Sequence, residues 1–173
     1  MAEQHSFENV TELNAGARGV PGNRTFFLLA GDSGRWVRVW LEKTQLAALG
    51  ETIDQLLAQQ AHGDLRPDWA AADPAQLLTN GEPMSSPASE FQLGRLGVAH
   101  DPQRDLLVVV AQEATPSRPV TLQFWATKLQ MSALSKRIQE VVAQGRPLCP
   151  LCGQPMEDAH VCVRTNGHHK VTE

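Results

Sequence analysis

Apolar and polar positions along this chain fall into two successive patterns, each β-like first and then helical, and the second pattern repeats the first. Residues 24–31 (RTFFLLAG) and 35–43 (RWVRVWLEK) are β-rich runs around Asp32-Ser33-Gly34, which predicts a hairpin. Leu46, Leu49, Ile53, Leu56 and Leu57 then recur at helical spacing, with Thr44 as the expected cap and Gly63 as the stop. Further along, residues 91–100, 105–114 and 118–128 read as three strands separated by turns at Asp101-Pro102 and Thr115-Pro116. A second helix follows, with Met131, Leu134, Ile138, Val141 and Val142 facing inward and Gly145 at its end. Phe7 to Leu13 predicts a first strand, and the glycine-rich stretch after it (NAGARGVPGN) reads as a loop. It matches neither phosphate-binding glycine signature, so an ordinary connection is expected.

The two patterns superimpose without a gap. Shifted by 85 positions, Trp40–Gln59 lies on Trp125–Gln144 with eight of twenty residues identical, among them Trp40/Trp125, Gln45/Gln130 and Ile53/Ile138. A duplicated unit of strand, strand, strand and helix is therefore expected. The predicted class is α+β: a tandem β-β-β-α repeat forming antiparallel sheet or sheets, each covered by a helix, plus a C-terminal zinc ribbon. Repeat one spans 6–62, a linker 63–89 and repeat two 90–146, together a body of 1–146; the ribbon and tail occupy 147–173. Pro67, Pro74, Pro83 and Pro87 punctuate the linker, where one short helical turn is expected near Asp73–Leu78 and Trp69 should pack back on the body.

Alternation along the third strand of each unit sorts its residues onto two faces. Val37, Val39 and Leu41, with counterparts Leu122, Phe124 and Ala126, should face the helices. The opposite stripe holds Trp36, Arg38 and Trp40 in one copy and Thr121, Gln123 and Trp125 in the other. Two readings compete with a protein-binding role for that stripe. Trp40 and Trp125 could pack against each other between the units, or the rings could stack on the bases of a single strand while arginine meets phosphate.

Composition narrows these choices. With 42% hydrophobic and 20% charged residues, the chain has no uninterrupted apolar run long enough to span a membrane. Its first residues carry no secretion-signal pattern, so a cytoplasmic location and no membrane partner are expected. A net charge of −4 disfavours nucleic acid as a partner. The charge is uneven: Asp64, Asp68, Asp73, Glu82 and Glu90 face only Arg66 in the linker region.

All three cysteines fall in the last 25 residues. Cys149-x-x-Cys152 followed by Gly153 is a metal-binding knuckle, and His160-x-Cys162 places two more ligands on one side of an extended segment. Three thiolates and one imidazole suit tetrahedral Zn2+, and a site with four protein ligands is structural, with no open position for catalysis. His168 or His169 is the alternative fourth ligand. Arg164, with Lys170 and the tail histidines, gives the ribbon a basic edge. No established catalytic signature occurs elsewhere, and His100-Asp101 reads as local turn bonding, so a non-enzymatic binding or adaptor protein is expected.

Two resemblances add to this. GNRTFFLLAGDSGRWVRVWLEK, carried by Gly34, Arg35, Trp36, Val37 and Arg38, resembles one repeat of the PUR-type, Whirly-like nucleic-acid-binding modules. That likeness implies two intertwined repeats and a nucleic-acid ligand, in line with the alternative reading of a single-strand binder that uses Trp36, Arg38, Trp40 and Trp125. The second unit has Ser117-Arg118-Pro119-Val120 at the matching place, without the Gly-Arg-aromatic pattern. The ending RPLCPLCGQPM…HVCVRTNGHH, together with the repeated body, is similar to an uncharacterised actinobacterial family of unknown function. This second resemblance implies the same two-part layout, and its gene associations imply a phosphotransfer-related partner.

Overall fold

The structure is a computed structural model, and it describes residues 2–115, 117–145, 149–154, 156, 161, 162 and 164. Seven strands form one mixed sheet: β1 (Gln4–Phe7), β2 (Glu12–Val20), β3 (Asn23–Asp32), β4 (Arg35–Leu41), β5 (Ser89–Asp101), β6 (Leu106–Glu113) and β7 (Thr121–Ala126). Their spatial order is β1-β7-β6-β5-β4-β3-β2. Helix α1 (Lys43–Gln60) follows β4, and α3 (Lys128–Ala143) follows β7; between them lie a 3-10 turn (Asp68–Ala71) and the short α2 (Pro74–Leu77). Each half of the chain is thus an antiparallel three-strand meander followed by a helix.

The expected antiparallel sheets are corrected to a single sheet with two parallel junctions. β4 runs parallel to the start of β5, with Val39 opposite Phe91, and β1 runs parallel to β7, with Phe7 opposite Phe124. The sheet cannot be flat. Its edge strands β1 and β2 are joined by residues 8–11, a reach of at most about 18 Å, whereas six flat interstrand spacings would need about 29 Å. The sheet curls until this connection bridges it: Val10 N–H donates to Trp125 O (3.4 Å), and Thr11 N–H donates to Gly31 O (2.9 Å).

The helices fill the concave face, where one core cluster takes in Val37, Val39 and Leu41 from β4 and Leu122, Phe124 and Ala126 from β7. It also contains Leu46, Leu49 and Ile53 from α1 and Met131, Leu134 and Ile138 from α3. The faces assigned by alternation are therefore the observed ones. α3 packs against β2, and α1 against β3 and β5. The two helices also pack on each other. Ser135 Oγ donates to Asp54 Oδ1 (2.6 Å) and Gly50 O (3.3 Å), and Gln139 Nε2 donates to Asp54 Oδ2 (3.0 Å). Close approach there depends on Gly50, because a Cβ would meet Ile138 Cγ2 at 3.0 Å. A Cβ on Gly145, past the end of α3, would lie 3.0 Å from Nζ of Lys43 at the start of α1, so the helices run antiparallel.

Three local expectations are revised. The stretch read as a loop is most of β2, because Gly16 leaves room for the Phe27 ring opposite it; a Cβ there would come within 2.5 Å of Phe27 Cζ. The single strand expected at Phe7–Leu13 is the bend between β1 and β2. Glu42, not Thr44, is the N-cap of α1: its N–H donates to Gln45 Oε1 (2.8 Å). At α3 the same job falls to Thr127, whose N–H donates to Gln130 Oε1 (2.9 Å) and whose Oγ1 accepts from Gln130 N (3.0 Å). The hairpin at Asp32–Arg35, the helical turn after Asp73 and the docking of Trp69 on the core are as expected.

The β5–β6 turn carries an ion cluster in which His100 contacts Asp105, not the adjacent Asp101. Asp105 Oδ1 lies 3.0 Å from His100 Nε2 and 2.7 Å from Lys128 Nζ. Hydrogen bonds from Lys128 and His100 hold the Asp105 carboxyl below its ordinary value. A depressed carboxyl contributes stability above the ordinary carboxylate range and loses it as pH falls through the folded value. Asp105→Asn should therefore lower the thermal midpoint at pH 7, and the gap from wild type should close in acid. Asparagine tolerates the positive φ of 53° at this position, so the comparison isolates the charge. Parallel melting curves across pH check it; a gap independent of pH would contradict it.

Candidate functional site

Among the described residues, the side chains singled out from the sequence gather in two main places. The first is built on Cys149-Pro150-Leu151-Cys152. Gly153 N–H donates to Cys149 O (2.9 Å), and Cys149 N–H donates to Gln154 O (2.8 Å). This tight turn requires the left-handed φ of 71° at Gly153. The turn carries Cys152 round to Cys149, and Cys162 arrives from the far side, so the three Sγ atoms lie within 4.8 Å of one another. Cys149 and Cys162 are buried, and their sulfurs are 3.8 Å apart. A tetrahedron with metal–sulfur bonds of about 2.3 Å has edges of about 3.8 Å, so the spacing suits a metal ion.

At Cys152 the Gln154 backbone favours the thiolate, but desolvation and the two neighbouring thiols outweigh it and push the thiol above its ordinary value. A cation bound among the sulfurs would reverse that balance. His160, the expected fourth ligand, and the alternatives His168 and His169 lie outside the described residues. Arg164 is exposed.

The second place is the outer face of β3 and β4, where alternation puts Phe27, Leu29, Trp36, Arg38 and Trp40. The sequence reading left this stripe to a Trp40–Trp125 contact, a single-stranded ligand or a protein partner. In the structure the linker crosses it: Trp36 is 2% exposed and Arg38 6%, and only Trp40 is partly open. Trp36 Nε1 donates to Ser85 O (3.0 Å) and Ser85 Oγ (3.2 Å). The Arg38 guanidinium lies 5.1 Å from the Trp36 and Trp40 ring centres and 5.9 Å from that of Phe27. It donates to Glu90 (2.9 Å) and Glu82 (2.7 Å), and Glu82 also accepts from Arg18 (2.6 Å).

Trp125 is not part of this group. It sits three strands away in the sheet, donates from Nε1 to Asp101 (3.1 Å) and is stacked by Arg104 at 4.7 Å. The expected Trp40–Trp125 contact is therefore absent, because both rings point outward from opposite sides of a curled sheet. Glu82, Glu90 and Arg18 complete the cluster around Arg38 and were missed as site residues. The acidity of the stretch that holds them was the only sequence signal for the two glutamates, and Arg18 had none.

Fold and side chains together define an α+β protein: a curled mixed sheet filled by two helices, ending in a three-thiol cluster that could hold a metal ion. The chain belongs to a family described as "Protein of unknown function (DUF3090)", whose model matches residues 5–162 and so takes in all of the sheet but its first residue, Gln4, and all three thiols. Comparison with curated proteins and with solved structures gave no match. Among the described residues no helix is long and apolar enough to cross a membrane.

Proposed function

We propose that the protein is a cytoplasmic, non-enzymatic adaptor: a duplicated body carries a zinc-stabilised ribbon that docks a protein partner. The carrying observation is the thiol cluster with Leu151 and Val161 beside its ligand positions, 46% and 54% exposed. Apolar side chains held at the surface next to a rigid knuckle favour protein contact. Cys149, Cys152, Cys162 and His160 are the proposed ligands, with His168 or His169 as substitutes for the imidazole. Such a set closes the coordination sphere and gives zinc a structural role.

Duplication of the body is supported by the pairing. β1 meets β7 at Phe124 as β5 meets β4 at Val39, and Val39 and Phe124 are counterparts under the 85-residue shift. Gly50 and Ser135, which meet between the helices, are counterparts too. The single-strand reading of the outer stripe has less support, since Trp36 and Arg38 lie beneath an acidic segment.

Capture from native lysate with the zinc-loaded chain tests the adaptor reading. A partner should be retained by wild type and lost on Leu151→Asp, with zinc content and the melting curve of the body unchanged. Equal recovery by both proteins would remove the ribbon as the docking element.

A further inference from the structure

The segment that covers the outer face is held unevenly. At one end Asn14 Nδ2 donates to Thr79 O (2.9 Å) and Gly81 O (3.0 Å); at the other, Ala88 N–H donates to Trp36 O (2.8 Å) where β5 begins. Between these anchors, residues 82–87 reach the body through Glu82 and Ser85, while Met84 stands fully exposed between Pro83 and Pro87. The segment crosses β3 as an acidic ligand would, its carboxylate shared between Arg18 and Arg38 beside Trp40.

The fit is incomplete. Arg38 Nε is buried and has no acceptor, on a side chain that is only 8% exposed. Buried donors without an acceptor are uncommon in native structures, and this one lies at the centre of the arginine–aromatic face. An occupant with one more acceptor would satisfy it.

We propose that residues 82–87 are a built-in surrogate ligand. The face beneath them, formed by Arg18, Arg38, Trp36, Trp40 and Phe27, is then a docking site for an acidic peptide segment of a partner. This rests on the adaptor reading and adds a second contact surface, on the body, to the ribbon. Tethering gives the surrogate an effective concentration of about millimolar, so a free peptide competes poorly until the Glu82 contact is weakened. Glu90 belongs to β5, opposite Arg38 in register, and stays in place when the surrogate lifts.

The test uses the full chain and a fluorescent synthetic peptide of residues 79–87 (TNGEPMSSP), read by anisotropy. Glu82→Gln should bind it about tenfold or more tightly than wild type, with affinity falling as salt rises. Adding Arg18→Gln, at a half-exposed position outside the core, should abolish the gain, and so should a peptide carrying glutamine for its glutamate. No saturable binding to Glu82→Gln, or binding indifferent to Arg18, would overturn the proposal. Displacement of the peptide by a short oligothymidylate at lower concentration would overturn the peptide as the ligand. A lysate partner whose capture needs Leu151 but survives Glu82→Gln/Arg18→Gln would leave the adaptor reading standing and remove this one.

Discussion

Cys162→Ser is expected to reduce zinc from about one ion per chain to near zero and to unfold the ribbon while the body stays folded. Cys162 is wholly buried, 3.8 Å from the Cys149 sulfur, so its removal takes away one corner of the proposed tetrahedron. Structural zinc supplies on the order of 10–16 kcal/mol of apparent folding free energy in short peptides, far more than so small a segment gains from burial. The core of the body contains none of the cysteines, which is why its melting should be unaffected. Elemental analysis of the purified chain, with amide-exchange protection at residues 149–154, measures both effects. Alanine at His160, His168 and His169 in turn identifies the imidazole that completes the set. Zinc content unchanged in Cys162→Ser would exclude that thiol as a ligand.

Phe124→Ala should cost the body about 3–5 kcal/mol, a large part of the roughly 5–15 kcal/mol that holds a domain together. Phe124 is fully buried on the concave face of β7, and its register partner across the parallel junction is Phe7. Truncation there opens a cavity where the first and last strands meet, and antiparallel helices locked by Ser135 and Asp54 have little freedom to collapse into it. The adjacent Gln123→Ala faces outward and should change stability by less than about 0.5 kcal/mol. Urea denaturation of the two variants gives the contrast directly. Similar midpoints for both would mean that the faces of β7 have been assigned wrongly.

Much of this arrangement is legible in the sequence. Alternation along β4 and β7 places Val37, Val39, Leu122 and Phe124 inward, and helical spacing picks out Leu46, Leu49, Ile53, Met131 and Leu134, all of them buried. The spacing of the cysteines brings three thiols together in advance of any coordinates. Less legible is whatever depends on pairing between distant segments. Gly16 looks like a loop residue until Phe27 is known to lie across from it. Trp36, Arg38 and Trp40 share a face by alternation, but alternation does not say what covers that face. The cover comes from Glu82 and Ser85, more than forty positions on, in a stretch whose composition reads only as a linker. Local patterns set the direction of each side chain, and long-range closure decides which of those directions meet solvent.

The bridge between the two rims has a consequence during synthesis. Gln4 finds its neighbour only at Thr121, so β1 leaves the ribosome on the order of ten seconds before the strand it pairs with. In that interval the first meander has an unmatched border and a greasy hollow without α3 to fill it. Nascent chains should therefore lean on ribosome-associated chaperones until β7 and α3 emerge, and a pause in translation before residue 121 should raise the share lost to aggregation.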